Sequence, residues 1–248
     1  MKIDVRADVT KVIEELDAYG RRQVPFATAL ALTRTAMSAK ERAREAMPKV
    51  FDRPTPFTLN AVRVVPATTR SLTAEVLIRD EAPKGTSPDR YLRAEIEGGD
   101  RNLKRSERAL QMTGRMPKGW AWTPGLAAPL DPYGNLRGSF VTTLLSQVKG
   151  HIDSTSNETP RSKKRRTRLG GRQVEYFIGR PGGGHLPLGV YARYRFAWGT
   201  AVKPVLIFTR WVHYKKRFRI WDIVRIETDK VFAIEFKKAL AHALATAR

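Results

Sequence analysis

Two carboxylates, Glu95 and Glu97, lie in the alternating stretch Tyr91-Leu-Arg-Ala-Glu-Ile-Glu97, where a strand would aim both at one face and make general acid/base work conceivable. The arginines around them favour salt bridging instead. The histidines His151, His185, His213 and His242 are too scattered to form a His-x-x-x-His pair, and the chain has no cysteine for a thiolate metal site or a disulfide. Pro181-Gly-Gly-Gly-His185 has the glycines of a phosphate-cradling loop. It lacks the Gly-Lys-Ser/Thr ending and runs into Leu-Pro rather than a helix start, so it reads as a hairpin connection. No catalyst assembles from this set, and the expectation is a protein that is not an enzyme and carries no cofactor or metal. A metal-dependent nuclease would have to use Glu95 or Glu97.

Charge is the stronger signal. Forty-six Lys and Arg against 24 Asp and Glu leave the chain at +22, with most of the excess in residues 101–118, 161–172 and 193–225. Patches of this kind attract polyanions, either nucleic acid or an acidic protein surface. The candidate contacts are Arg161, Lys163, Lys164, Arg165, Arg166 and Arg168 of the run Arg161-Ser-Lys-Lys-Arg-Arg-Thr-Arg168, together with Lys215, Lys216 and Arg217. Each duplex phosphate neutralised would add about 0.9 to the log–log salt slope. A solvated loop tip is the plainer reading of the run. Tyr191-Ala-Arg-Tyr-Arg-Phe-Ala-Trp198 and Trp211-Val-His-Tyr-Lys-Lys-Arg-Phe218 interleave rings with cations, a pattern that stacking on single-stranded bases could use but that is better read as strands with rings inward and arginines outward. No zinc knuckle, recognition helix or aromatic RNA-binding motif is present, so any nucleic-acid contact would be with the backbone.

The elements that must position these residues read as α+β. Ile3 and Val5 alternate as an opening strand, and Val12, Ile13, Leu16 and Tyr19 continue helically after a cap at Asp8 or Thr10. A second helix follows Pro25, with a break or kink expected near Gly20–Pro25. Strands are expected at Val62–Val64, Leu72–Ile78 and Tyr91–Glu97, a helix over 103–113 with Gly114 as its stop, and a helix over Phe140–Val148. Three further strands, Val174–Ile178, Leu188–Arg193 and Val202–Arg210, precede a C-terminal helix marked by Val231, Ile234, Phe236, Leu240 and Leu244. The expected architecture is an antiparallel β-sheet bracketed by N-terminal and C-terminal helices, with long irregular arms, in a single domain over 1–248 or a domain with a long excursion. Residues 115–137, rich in Pro, Gly and Trp, form one arm, and residues 153–172 form a basic exposed loop. Met1–Arg6 lacks the apolar core of a signal peptide and no run approaches a membrane span, so the expected location is the cytoplasm or a particle assembled there.

The central segment resembles virion proteins of tailed phages. The likeness rests on Pro83-Lys-Gly-Thr-Ser-Pro88, Tyr91-Leu92, Gly98-Gly99-Asp-Arg101, Lys104, Glu107, Ala109-Leu110, Pro124-Gly125, Asp131-Pro-Tyr-Gly-Asn135 and Leu144-Leu145-Ser146. Toward the end it continues in Leu188-Gly-Val-Tyr191, Tyr214-Lys-Lys-Arg-Phe218, Glu235-Phe236, Ala239-Leu240-Ala241 and Ala245-Thr-Ala-Arg248. The opening Ala29-Leu-Ala-Leu-Thr-Arg-Thr-Ala36 is similar to the minor tail protein Z type, which completes the tail and helps join it to the head. The resemblance implies a structural subunit of the virion neck or tail, a homo-oligomeric ring around the DNA channel. Its partners would be portal or adaptor proteins, tail proteins and the backbone of packaged DNA, with no membrane. Head-to-tail ring interfaces favour projecting arms, and Trp120, Trp122, Asp131, Tyr133 and Asn135 are the candidate inter-subunit arm. The alternative is a basic, sequence-nonspecific nucleic-acid-binding protein outside any particle.

Overall fold

The computed structural model describes residues 1–7, 18–83, 85–168, 174–210 and 213–246. The fold is α+β, with antiparallel sheets and both N-terminal and C-terminal helices. It divides into two compact units, 1–99 with 214–248, and 100–213, so the middle of the chain is an excursion between two segments of the first unit.

In the first unit, β1 (Lys2–Arg6), β2 (Val62–Val65) and β3 (Thr73–Ile78) form a three-stranded sheet of order β1-β3-β2, antiparallel throughout. Ala74, Val76 and Ile78 of the central strand are buried at alternate positions, as the sequence period requires. Their core is completed by Leu32, Ala36, Ala39, Ala43 and Met47 of α1 (Ala18–Val50) and by Phe218, Ile220 and Val224 around the start of α7 (Ile220–Thr246). A short turn of helix, α2 (Pro56–Leu59), is capped by the Thr55 hydroxyl accepting from the Thr58 amide at 3.2 Å.

The break expected near Gly20–Pro25 is absent: α1 passes through Pro25 without interruption, while the helix expected over Val12–Leu16 lies outside the described residues. Proline costs a backbone hydrogen bond, but Val24, Ala27, Ala31 and Leu32 are all fully buried along this stretch. Packing therefore outweighs local preference. At 33 and 27 residues, α1 and α7 are about 50 and 40 Å long. Ala27 and Ala31 meet Ala239 and Ala243, Arg34 reaches Glu235 at 3.8 Å, and Ser38 donates to Glu227 at 2.7 Å. Partner numbers fall along α7 as they rise along α1, so the pair is antiparallel and small side chains let the backbones approach closely.

The strand expected over Tyr91–Glu97 is instead a helix, α3 (Pro88–Glu97). Apolar residues at 92, 94 and 96 imitate a period of two. Punctuation decides otherwise: Ser87 is extended before Pro88 at the first helical position, and Gly98 ends the helix at φ 82°. The strand face that would have paired Glu95 with Glu97 does not exist, since residues two apart on a helix point away from one another.

The second unit is built on a four-stranded antiparallel sheet of order β5-β8-β7-β6, comprising β5 (Trp120–Pro124), β6 (Val174–Gly179), β7 (Gly189–Phe196) and β8 (Gly199–Arg210). α4 (Arg105–Met112) and α5 (Gly138–Gln147) contribute Leu110, Leu144 and Leu145 to a core with Met116, Trp122, Val190, Leu206 and Phe208. Gly189 is required there, because a Cβ would collide with the Leu206 carbonyl of the neighbouring strand. The glycines 182–184 do lie in the connection between β6 and β7. A two-stranded ladder, β4 (Gly99–Asp100) with β9 (His213–Tyr214), marks the two passages of the chain between units.

Candidate functional site

The basic run is not a loop. Residues Pro160–Arg168 form a helix, α6. Its start follows capping rules: the Thr159 hydroxyl accepts from the Ser162 amide at 3.2 Å, the Ser162 hydroxyl accepts from the Thr159 amide at 2.9 Å, and Pro160 takes the first helical position. Arg165, Arg166 and Arg168 crowd the last turn, where cations suit the helix dipole. Like charges four apart, Arg161 with Arg165 and Lys164 with Arg168, nonetheless oppose the helix.

The Glu175 carboxylate and the Val174 carbonyl of β6 tie this cationic helix to the sheet. Lys163 donates to Glu175 of β6 at 2.6 Å, and Arg193 and Arg195 of β7 lie 3.6 Å from the same carboxylate. The Lys163 hydrogen bond, reinforced by the three cations, holds the Glu175 carboxyl below its ordinary value against the opposing effect of partial burial. Arg166 binds Glu158 at 2.8 Å and donates to the Val174 carbonyl at 3.0 Å. Arg166 is thereby a structural residue, while Arg161, Lys164, Arg165 and Arg168 remain exposed to solvent.

The structure does not bring every candidate cation to this helix. Lys215, Lys216 and Arg217 belong to the other compact unit. There Arg217 makes a paired contact with Glu95, both bonds at 2.8 Å, so Glu95 neutralises an arginine. The unit of 100–213 holds 20 Lys and Arg against six Asp and Glu.

Neutralising the exposed set, Arg161→Gln, Lys164→Gln, Arg165→Gln and Arg168→Gln, is expected to lower the log–log salt slope of duplex-DNA binding by three to four units, at about 0.9 per phosphate contact. The melting temperature should stay within about 2 °C. Arg166→Ala should instead destabilise the fold, by roughly 1–3 kcal/mol, because Glu158 and the Val174 carbonyl lose their partner. Salt titrations of DNA binding beside thermal melts separate the two effects.

The candidate arm divides in the structure. Trp120 and Trp122 are not on an arm: both sit in β5, where Trp122 is buried and donates its indole N–H to the Ser106 hydroxyl at 3.1 Å. Two large rings flanked by prolines and glycines can pack as strand residues once a neighbouring strand, here β8, supplies the ladder. Asp131, Tyr133 and Asn135 do fall in a connecting loop. The Asp131 carboxylate accepts from the amides of Tyr133 at 2.9 Å and Asn135 at 2.8 Å, and the Asp131 amide donates to the Asn135 carbonyl at 2.8 Å. This self-stapled turn exposes Tyr133, Leu130 just before it is exposed too, and Leu126, 97% exposed, lies in a separate turn over 125–128 whose amides bond to β8.

Sequence reasoning missed two features. Glu107, fully buried, accepts two bonds from Arg101 and one each from the amides of Lys104 at 2.7 Å and Trp122 at 3.2 Å. Its position three residues after Lys104, at the helix start, was the available signal. The second is the β7–β8 tip, where Phe196 and Trp198 are 51% and 88% exposed while Tyr191 is buried with its hydroxyl donating to the Pro187 carbonyl at 2.6 Å. The inward-ring reading therefore applies to Tyr191 and not to the tip.

His151 contacts the Thr142 carbonyl, His213 lies 3.3 Å from Asp100, and among the described residues no group of three His, Cys, Asp or Glu is placed to hold a metal. No helix among them is long and apolar enough to cross a membrane. No protein-family profile matches the chain, and neither a curated protein nor a solved structure is similar to it.

Proposed function

We propose that this chain is a structural protein of a tailed-phage virion, placed at the head–tail connection, where it forms a homo-oligomeric ring around the DNA channel and joins portal or adaptor proteins to the tail. It acts by binding and assembly, without catalysis. The observation that carries the reading is the exposed apolar set of the connection after β5: Leu126, in a turn whose flanking amides bond to the Val205 and Pro204 carbonyls of β8, Leu130, and Tyr133 in the turn that the Asp131 carboxylate holds together. Preordered apolar residues on an exposed connecting loop suit a head-to-tail interface, because little entropy is lost when a neighbour covers them. The cations of 100–213 are matched by the DNA inside the ring and by acidic walls of adjoining proteins.

Leu126→Asp with Tyr133→Ala is expected to weaken self-association at least tenfold and leave melting unchanged, since neither side chain is in a core. Mass measurement across protein concentrations, with electron microscopy of the assembled fraction, reads the result. A wild-type chain that stays monomeric at every concentration and is missing from purified particles sinks the proposal.

The charge of the second unit favours one other reading, a nonspecific nucleic-acid-binding protein acting as a monomer. Salt-steep DNA binding without any ring would select it.

A further inference from the structure

The β7–β8 hairpin ends in an arrangement that packing inside this chain does not explain. Phe196 and Trp198 stack on one another, ring centres 6.0 Å apart and planes 12° from parallel, and both are open to solvent. Tryptophan seldom remains in water without a partner. Sheet pairing on the described flanks stops short of them: β6 pairs as far as Val174↔Tyr194, and β5 covers only Leu206–Arg210. Beyond Tyr194 the described partners are β7 and β8 alone, through Arg195↔Thr200 and Phe196↔Gly199.

We infer that this ribbon is a finger for duplex DNA, which enters a groove and presses the Phe196–Trp198 pair against the base stack. The inference deepens the proposed function, resting on its DNA-lined channel for its setting. Three or four residues of strand from Tyr194 to the turn reach about 10–13 Å, at about 3.3 Å per residue. The grooves of B-DNA are about 7.5–8.5 Å deep, and the major groove accepts a two-stranded ribbon. The tip can therefore touch the floor while its base stays at the phosphates.

Charge selects the partner. Residues 191–204 contain Arg193, Arg195 and Lys203 and no acid. Glu175 fastens Arg193, Arg195 and, through Lys163, the cationic helix α6 to the same sheet edge, so phosphate-binding groups flank the rings. A second copy of a chain at +22 would repel this tip. Apolar side chains wedged at a base step part the stack and bend the duplex, which brings more of a cationic surface onto phosphates.

The test uses the full chain and a mixed-sequence duplex of about 25 base pairs, with anisotropy for affinity and end-to-end energy transfer for bending. Phe196→Ala with Trp198→Ala is expected to cost 10- to 100-fold in duplex affinity and to abolish the bend, with the salt slope within one unit of wild type. Arg195→Gln with Lys203→Gln should lower the slope by about two units. Unchanged melting and unchanged ring assembly in the ring-deleted variant separate failure here from failure of the structural role. The inference is overturned if that variant binds and bends the duplex as wild type does, or if wild type binds no duplex. It is equally overturned if losing the rings removes binding to anionic vesicles, to single strands or to a second copy while duplex binding stays intact.

Discussion

Glu107→Ala is expected to be among the most damaging single changes to residues 100–213, costing about 3–5 kcal/mol and lowering their melting transition by 10 °C or more. The wild-type carboxylate sits with no solvent exposure and neutralises Arg101, whose side chain is itself only 19% exposed. Alanine removes the carboxylate that neutralises that cation and that accepts from the amides of Lys104 and Trp122, and losing a buried acceptor carries a desolvation cost. Burial alone would raise the Glu107 carboxyl. The Arg101 hydrogen bonds and the two backbone amides outweigh it, and the folded-state value lies below the ordinary 4.5.

A carboxyl depressed by folding contributes its full stability above the unfolded value and loses it as pH falls through the folded one. The wild-type chain should therefore lose stability in acid below about pH 4.5, and Glu107→Gln, less stable at neutral pH, should show a shallower acid decline. Hydrogen exchange localises the effect. If protection in 105–208 survives Glu107→Ala, the carboxylate is not the keystone of that unit.

The second large effect is expected at Phe218. It closes the cation-rich block Tyr214-Lys-Lys-Arg-Phe218, yet its ring is fully buried and meets Phe51 edge-on at 5.4 Å. Its amide and that of Arg217 both donate to the Glu95 carbonyl at 2.9 Å, which fixes the approach of the chain to α7. Phe218→Ala should cost about 3–5 kcal/mol through lost transfer energy and the cavity left behind. Protection should fall in α1, β3 and the first turns of α7, with denaturant melts as the overall measure. Phe218→Leu should recover part of the loss, since a ring-sized apolar group is what the site needs. A cost below 1 kcal/mol would mean that the core around Phe51 collapses to fill the space.

The difference between these two residues and their neighbours bears on what a sequence can reveal. Period-two burial in β3 was legible because one face of that strand lies against a core. Tyr91–Glu97 carried the same alternation and became a helix, since Pro88 and Gly98 punctuate it. The run over 161–168 looked like solvated loop because charge dominates it, while its helix start, Thr159-Pro-x-Ser162, is only four residues long.

Residue order by itself determined the α+β class, the localised excess of cations and the lack of a cysteine-based site, because composition and local periodicity are properties of neighbouring residues. Tertiary structure alone decided which charges are spent and which face water. Arg217, Arg166 and Arg101 are consumed by Glu95, Glu158 and Glu107, partners six to 122 residues away. It also decided that Trp122 is core while Trp198 is exposed. Burial depends on what other segments bring to a side chain, and no local pattern carries that distance.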